Sequence, residues 1–175
     1  MQEETDWITQ AKEGNQRAFR SLYDANVAAL YRFLRQFTSR SGDVDEWVQR
    51  AFVKAFQGLA SFDGRSRFST WLHTLAINEM RMDLRRARIL PFVPNEETEG
   101  LAGEPADFEW HLTMKSWMSD LDETKRAVFV LYEVEGYSHA EIGSMLGIAE
   151  SSSRTYLARA KRYLQSRWIE EKPHG

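Results

Sequence analysis

The sequence predicts an all-α protein of two small helical domains joined by a flexible linker. Apolar residues recur at steps of three and four over most of the chain, which is the period of an amphipathic helix. No stretch of useful length alternates apolar and polar residues as a strand would. The one long break in the helical period, residues 89–108, is acidic and contains proline and glycine, as linkers often do. We therefore predict domains at residues 1–90 and 109–170, with a linker at 91–108.

Domain 1 is predicted to contain a short helix near residues 4–13 and three longer ones. The apolar stripes of the longer helices begin at Phe19, Val44 and Phe68. Asp43, followed three residues later by an acid, predicts a capping box at the start of the second long helix. Each stripe needs an apolar partner, so these helices are expected to form one bundle.

The most specific local pattern lies in domain 2, at residues 138–162. Ser138 and Glu141 have the spacing of a capping box, and Gly147 is placed to end the short helix that they begin. Gly143 is small enough to let a following helix cross closely. A second helix starts almost at once, so the pattern indicates a helix-turn-helix motif.

The second helix of this motif exposes polar and basic residues where a recognition helix meets DNA. Residues at its amino end are placed to contact base edges, and three later cations to contact phosphates. Ser153 stands where such motifs usually bury an aliphatic residue, which predicts looser packing there. The candidates for base edges are Ser151, Ser152, Ser153, Arg154 and Thr155, and those for phosphates are Arg159, Lys161 and Arg162.

The charge distribution also suits a nucleic-acid partner, although the net charge is −3. Residues 95–109 contain six acids and no base, so the remaining residues sum to +3. Basic residues concentrate at 81–88 and 151–169. Charge alone is equally consistent with ordinary solvated helix faces.

Enzymatic and membrane functions find little support in the sequence. Cysteine is absent and the four histidines share no ligand spacing, so we expect no metal and no cofactor. There is no glycine-rich phosphate loop and no nucleophile elbow, so catalysis is not expected. No apolar run is long enough to span a bilayer, and the first dozen residues are acidic and polar, unlike a signal peptide. We therefore expect a cytoplasmic protein with no membrane insertion of its own.

Nearly the whole chain resembles a bacterial RNA polymerase sigma factor of the extracytoplasmic-function (ECF) group, in the sigma-70 family. The stretch A-K-E-G-N-Q-R-A-F-R-S-L-Y, residues 11–23, resembles the start of sigma region 2. The stretches D-V-D-E-W-V-Q-R-A-F-V-K-A-F and F-S-T-W-L-H-T-L-A-I-N are similar to its polymerase-docking helix and promoter-melting segment. The stretch L-D-E-T-K-R-A-V-F-V-L-Y and the helix-turn-helix resemble region 4. Each stretch alone is a weak match. Their occurrence in this order, with a linker between region 2 and region 4, makes the resemblance specific.

The resemblance implies that core RNA polymerase and promoter DNA are partners, and that an anti-sigma factor is a third. Region 4 would then recognise the −35 element through the recognition helix. Arg50 stands where the family usually has a second acid on the docking helix. The residues that match the docking helix are Asp45, Glu46, Gln49, Phe52 and Phe56.

For region 2 the resemblance implies recognition and melting of the −10 element. Phe62 and Arg65 match a loop that captures a flipped-out base, where an aromatic ring and a cation suit an unpaired nucleotide. The family's usual aspartate is replaced by Met82, with Asp83 displaced by one position. For Phe68 and Trp71 the alternative is plain core packing. The full set of candidates is Phe62, Arg65, Arg67, Phe68, Trp71, Asn78, Arg81 and Arg85.

Two other functions stay open from the residues alone. A conventional helix-turn-helix repressor or activator would bind DNA without being a polymerase subunit. A sigma-like decoy would use its basic helices only to dock on proteins.

Overall fold

The computed structural model describes residues 2–38, 40–87, 113–114 and 116–171. Within these residues the structure is helical and contains no strand, which confirms the predicted all-α class. The chain divides into two compact units, Met1–Pro94 and Asn95–Gly175. The linker predicted at 91–108 and the first residues of the predicted domain 2 lie outside the described residues.

The amino-terminal unit is a bundle of four helices with a loop between the third and fourth. The elements are α1 (Gln2–Lys12), α2 (Gln16–Leu34), α3 (Ser41–Gly58), a 3₁₀ turn (Leu59–Ser61) and α4 (Phe68–Ala87). The apolar stripes pack as predicted, with Leu22, Trp47 and Leu72 all at least 98% buried. The Asn15 side chain begins α2 by accepting hydrogen bonds from the backbone N–H groups of Arg17 and Ala18.

The start of α3 differs from the sequence prediction. The helix begins at Ser41, and its N-cap residue Arg40 makes no side-chain capping bond. Asp43 is therefore already inside the first turn, so the predicted capping box is wrong. Its carboxylate instead lies 3.7 Å from Arg40 Nε and accepts a long hydrogen bond, 3.5 Å, from Thr38 Oγ1.

The carboxy-terminal unit contains the predicted helix-turn-helix. Residues 116–120 are helical. They are followed by α5 (Glu123–Phe129), which continues into a π-helical turn (Val130–Val134), and then by α6 (His139–Leu146) and α7 (Glu150–Glu171). Ser138 and Glu141 form the capping box at the start of α6, and Gly147 ends it with a φ of +66°. Both local predictions are confirmed.

Gly143 permits a close approach between α6 and the turn that follows it. A Cβ atom at this position would lie 2.8 Å from the carbonyl oxygen of Ile148 and 3.5 Å from the backbone nitrogen of Glu150. The sequence predicted a close approach of the second helix at Gly143. The close neighbour is instead the turn that precedes α7.

Candidate nucleic-acid and polymerase interfaces

Helix α7 presents a polar and basic face opposite its buried side. Leu157, Ala160 and Leu164 are buried against the rest of the unit. The exposed residues recur at steps of three and four on the other side and include most of the predicted DNA contacts, namely Ser151, Arg154, Thr155, Arg159, Lys161 and Arg162. Ser152 is half-buried. This face has the chemistry that a recognition helix needs in a major groove.

Two interactions shape the basic face of α7. Arg154 pairs with Glu150 one turn earlier, at an exposed site where such a pair is weak and readily exchanged for another anion. Lys161 Nζ lies 2.6 Å from Glu133 Oε1, which ties α7 to the π-helical turn. Arg159 and Arg162 are exposed. Lys161 is therefore already paired with an acid, and its charge is partly neutralised by Glu133.

Ser153 belongs to the interior of the helix-turn-helix, which corrects its place among the predicted base contacts. Its exposed fraction is 0%, and its Oγ lies 2.9 Å from Nδ1 of His139, which begins α6. The His139 ring in turn stacks on Tyr132 at 4.4 Å. A buried hydrogen bond thus replaces the aliphatic contact that such motifs usually have, and Ser153 cannot reach a base edge while it persists.

The loop between α3 and α4 carries Phe62 as predicted, but the ring of Phe62 is 5% exposed. It packs against Trp71 at 5.0 Å and Phe68 at 6.1 Å, measured between ring centroids. Lys12 of α1 donates a hydrogen bond to the Phe62 carbonyl oxygen and lies 5.9 Å from the centre of the ring. The expectation of a ring free to stack on a base is therefore not met by this conformation, because the aromatic cluster buries it.

The neighbouring aromatics divide between core and surface. Phe68 is 1% exposed and packs in the core, as its alternative interpretation held. Trp71 is half-buried, and its ring lies 5.8 Å from that of Phe68. The three rings thus form one cluster, in which Trp71 alone is partly exposed.

The exposed part of this loop is short and charged. Arg65 is folded back on Asp63, with its backbone N–H 3.1 Å from Asp63 Oδ1 and its Nε 2.7 Å from Asp63 Oδ2. Gly64 between them has a φ of +74°, a backbone conformation that residues with a side chain rarely adopt. The Arg65 side chain is 88% exposed and Arg67 is exposed as well. The loop therefore offers two accessible cations just before α4.

Helix α4 continues this basic surface. Asn78 and Arg85 are exposed and Arg81 is half-buried. They lie three and four residues apart, which places them on one face of the helix. The loop and this face together can follow a nucleic-acid backbone with cations and offer an amide to a base.

The predicted docking residues converge on a groove between α2 and α3. It has a volume of about 450 Å³ and is mostly apolar. Tyr23 and Phe52 pack across it at 4.6 Å, and Phe19 and Phe56 meet edge to face at 4.9 Å. The lining residues contributed by α3 include four of the five predicted ones: Asp45, Gln49, Phe52 and Phe56.

The exposure of the docking residues is uneven. Phe52 is 5% exposed and forms the floor of the groove, whereas Phe56 is 56% exposed and Val53 beside it is 49% exposed. Asp45 is exposed on the rim. Glu46 is exposed just outside the lining and lies 3.6 Å from Arg50. The groove thus has an apolar floor, an exposed aromatic and an acidic edge.

A group of charges between α3 and α4 was not predicted from the sequence. Arg50 donates a hydrogen bond of 3.2 Å to Asp83 Oδ1, and Trp47 Nε1 donates one of 2.9 Å to Asp83 Oδ2. Burial alone would raise the pKa of Asp83, but hydrogen bonds from Arg50 and Trp47 outweigh it and lower the pKa. The hydrogen bond with Asp83 likewise raises the pKa of Arg50.

Glu79 is the second acid of this group and is 1% exposed. It pairs with Lys54 and lies 3.7 Å from Arg50 Nε. A signal was present in the sequence, since the cations stand four residues apart and so do the acids. Which cation pairs with which acid depends on the packing of α3 against α4, which no local pattern specifies.

No group of three or more histidines, aspartates and glutamates among the described residues is arranged to hold a metal ion. In the same part of the chain, no helix is both long and apolar enough to cross a bilayer.

Comparisons with known proteins assign both units to one family. The family model for Sigma-70 region 2 matches residues 22–89, and the model for Sigma-70, region 4 matches residues 116–164. The two matches cover the bundle with its groove and basic loop, and the helix-turn-helix. Fold and surfaces therefore define a sigma-70 type transcription initiation factor.

The group within that family follows from individual relatives. The ECF RNA polymerase sigma factor SigM of Mycobacterium tuberculosis is 32% identical over 151 residues, covering 86% of this chain and 77% of the relative. The RNA polymerase sigma factor CnrH of Cupriavidus metallidurans is 32% identical over 171 residues, covering 90% of both. The structure of CnrH in complex with the cytosolic domain of CnrY superposes with a TM-score of 0.73 at 29% identity, covering 97% of this chain and 99% of that one.

The chain belongs to the ECF group of RNA polymerase sigma factors, and its function is that of a sigma factor. A conventional repressor or activator is not favoured by these similarities.

Proposed function

We propose that this sigma factor docks on core RNA polymerase through the α2–α3 groove, contacts the −10 element through α4 and the preceding loop, and contacts the −35 element through α7. The observation that carries the proposal is that four of the five residues matched to the docking helix line one apolar groove with an acidic rim. The same chain offers basic surfaces in both units. A repressor needs the basic surfaces but not the groove.

The groove is suited to a helix that carries apolar and basic residues. Phe56 and Val53 are large apolar side chains exposed to solvent, and burying them against a partner would be favourable. Asp45 and Glu46 supply negative charge at the edge. An amphipathic helix laid in the groove would bury the apolar side chains and pair its cations with these acids.

At the −10 element, we assign separate tasks to the loop and the helix. Arg65 and Arg67 are exposed and would attract the phosphates of an opened strand. Asn78, with both donor and acceptor atoms, is placed to bond a base edge, and Arg81 and Arg85 extend the cationic surface. Phe62, Phe68 and Trp71 support the loop. Phe62 could stack on a base only if the loop rearranged, since its ring is buried.

At the −35 element, the exposed face of α7 would enter the major groove. Arg154, Ser151 and Thr155 lie near the amino end of the helix, where base edges are within reach. Arg159 and Arg162 follow one to two turns later and suit phosphates. Ser153 is assigned to the interior and Lys161 to its pair with Glu133.

Regulation, location and domain organisation complete the proposal. The solved structure of CnrH contains the cytosolic domain of CnrY, and the related fold suggests that this chain too is controlled by a protein partner, an anti-sigma factor. Action on polymerase implies a cytoplasmic protein that works by binding rather than by catalysis. The matches at residues 22–89 and 116–164 support domains at 1–90 and 109–170 with a linker at 91–108.

Reconstitution with core RNA polymerase tests the docking assignment. Asp45→Ala combined with Gln49→Ala should weaken core binding and reduce run-off transcription, because both side chains line the groove. The matched control, Asp6→Ala with Gln36→Ala, changes an exposed aspartate and an exposed glutamine outside the groove lining and should leave both readouts unchanged. Normal core affinity in the folded groove variant would remove the groove from the docking surface.

A further inference from the structure

Four charged side chains form a ladder that joins α3 to α4. We call Arg50, Lys54, Glu79 and Asp83 the α3–α4 ladder. The two cations stand four residues apart on α3 and the two acids four residues apart on α4, so each pair lies on one helix face. Arg50 pairs with Asp83 and Lys54 with Glu79. The ladder therefore fixes how the two helices face each other, in addition to their apolar contact.

The Arg50–Asp83 pair is the more directional half of the ladder. The guanidinium contacts both carboxylate oxygens of Asp83, and such fork-to-fork pairing fixes orientation as well as distance. Trp47 Nε1 donates to the same carboxylate, and Trp47 itself is 2% exposed. The Arg50 and Asp83 side chains are only 26% and 28% exposed. Asp83 is thus held between a buried indole and a half-buried guanidinium.

The ladder connects the two surfaces to which this unit's tasks are assigned. Arg50 follows Gln49 of the docking groove directly along α3. Asp83 lies on α4 between Arg81 and Arg85, and Glu79 is next to Asn78. A shift of α4 on α3 would therefore move the DNA-facing side chains relative to the polymerase-facing ones.

We propose that the Arg50–Asp83 pair is a positioning element that sets the DNA-facing side of α4 relative to the docked α3, and so governs promoter opening rather than polymerase affinity. This inference rests on the proposed function, in which α3 docks and α4 contacts the −10 element. It also explains two departures from the family pattern together. Arg50 in place of an acid and the displaced Asp83 are partners, so Asp83 is occupied and does not serve as a DNA contact.

The test compares Arg50→Met, Asp83→Asn and the double variant in complex with core polymerase. Each single variant should slow opening of a duplex promoter, followed by permanganate reactivity of unpaired thymines, by on the order of tenfold. Core affinity should change less than twofold, and initiation on a template pre-melted at the −10 element should be normal. The double variant should be no slower than the slower single one, because both remove the same interaction.

Two controls separate positioning from general charge effects. Arg50→Lys keeps the charge but loses the fork, so its opening rate should lie between those of the wild type and Arg50→Met. Asp24→Asn breaks the exposed Arg20–Asp24 pair on α2 by the same chemical change and should leave opening unaffected.

Other outcomes would overturn the inference. If core affinity and activity on the pre-melted template fall in parallel with duplex opening, the pair merely holds the fold together. If opening is unchanged in all variants, the pair has no role in it. Should Asp83→Asn fail to fold, Arg50→Lys decides by the same three measurements. A wild-type protein that supports no transcription with core polymerase would instead refute the proposed function.

Discussion

At the scale of single residues, His73 is a buried histidine that the fold keeps neutral. Its ring is 6% exposed and stacks on Phe33 with 4.5 Å between ring centroids. Burial lowers its pKa from 6.5 to about 4, because a charged imidazolium would lose its hydration there. The amino-terminal unit therefore contains a group whose protonation opposes folding.

This histidine predicts that the unit loses stability in mild acid. Below a pH of about 6.5 the unfolded chain binds a proton that the folded chain refuses until about pH 4. The stability that comes from keeping His73 neutral is fully present above about pH 6.5. It is lost as the pH falls towards 4, which lowers the unfolding free energy by up to roughly 3 kcal/mol. Urea unfolding at several pH values should show this slope in the wild type and a flatter one in His73→Phe, which keeps the stacking. Equal slopes would contradict the assignment.

Two side chains, Ser153 and Phe62, are buried although residue type and position had marked both as candidates for DNA contact. Helical spacing places Ser153 on the buried side of α7, but its partner His139 lies on another helix, so no local pattern reveals the bond between them. Phe62 lies in the loop as predicted, yet contacts with Trp71 and Lys12 bury its ring. In both cases contacts with residues of other elements determine whether the side chain is buried.

At the scale of elements, Gly143 makes a sharp test of the helix-turn-helix geometry. Gly143→Ala would place a Cβ atom 2.8 Å from the Ile148 carbonyl oxygen, which is backbone and can give way little. We expect a loss of about 1–3 kcal/mol in unfolding free energy. Gly42→Ala in α3 is the matched control, since a Cβ there meets nothing within 4 Å, and it should be neutral or stabilising by up to about 1 kcal/mol. Denaturant unfolding of both variants decides, and similar losses would refute the close approach.

Elements defined by local chemistry were the ones that the sequence predicted well. The capping box of Ser138 and Glu141 and the left-handed Gly147 depend on neighbours within a few residues, and both are present. Asp43 has the same local signature, but the helix begins two residues earlier and the aspartate does not cap it. The α3–α4 ladder depends on which helices pack together, so its four charges could be read in the sequence but not paired.

At the scale of the whole molecule, the distribution of charge matters more than its sum. The net charge is −3, but acids line the rim of the α2–α3 groove and cations line the loop, α4 and α7. Local fields of opposite sign can thus serve a protein partner and DNA on one chain. The two basic surfaces belong to different units, which allows them to act on different states of the promoter.

That division of labour predicts opposite behaviour for two exposed arginines. Arg154→Ala should weaken binding to duplex −35 DNA, reduce base discrimination by about 1–3 kcal/mol and lower the salt dependence, because we propose that α7 contacts intact duplex. Arg65→Ala should leave closed-complex binding intact but slow transcription from duplex promoters, with activity restored on a template pre-melted at the −10 element, because we propose that its loop acts on an opened strand. Arg65 is a cleaner probe than Phe62, whose removal would leave a cavity under the loop. Run-off transcription on both templates, beside duplex binding at several salt concentrations, separates the two roles. If both variants lost activity equally on both templates, the two units would be acting on the same DNA state.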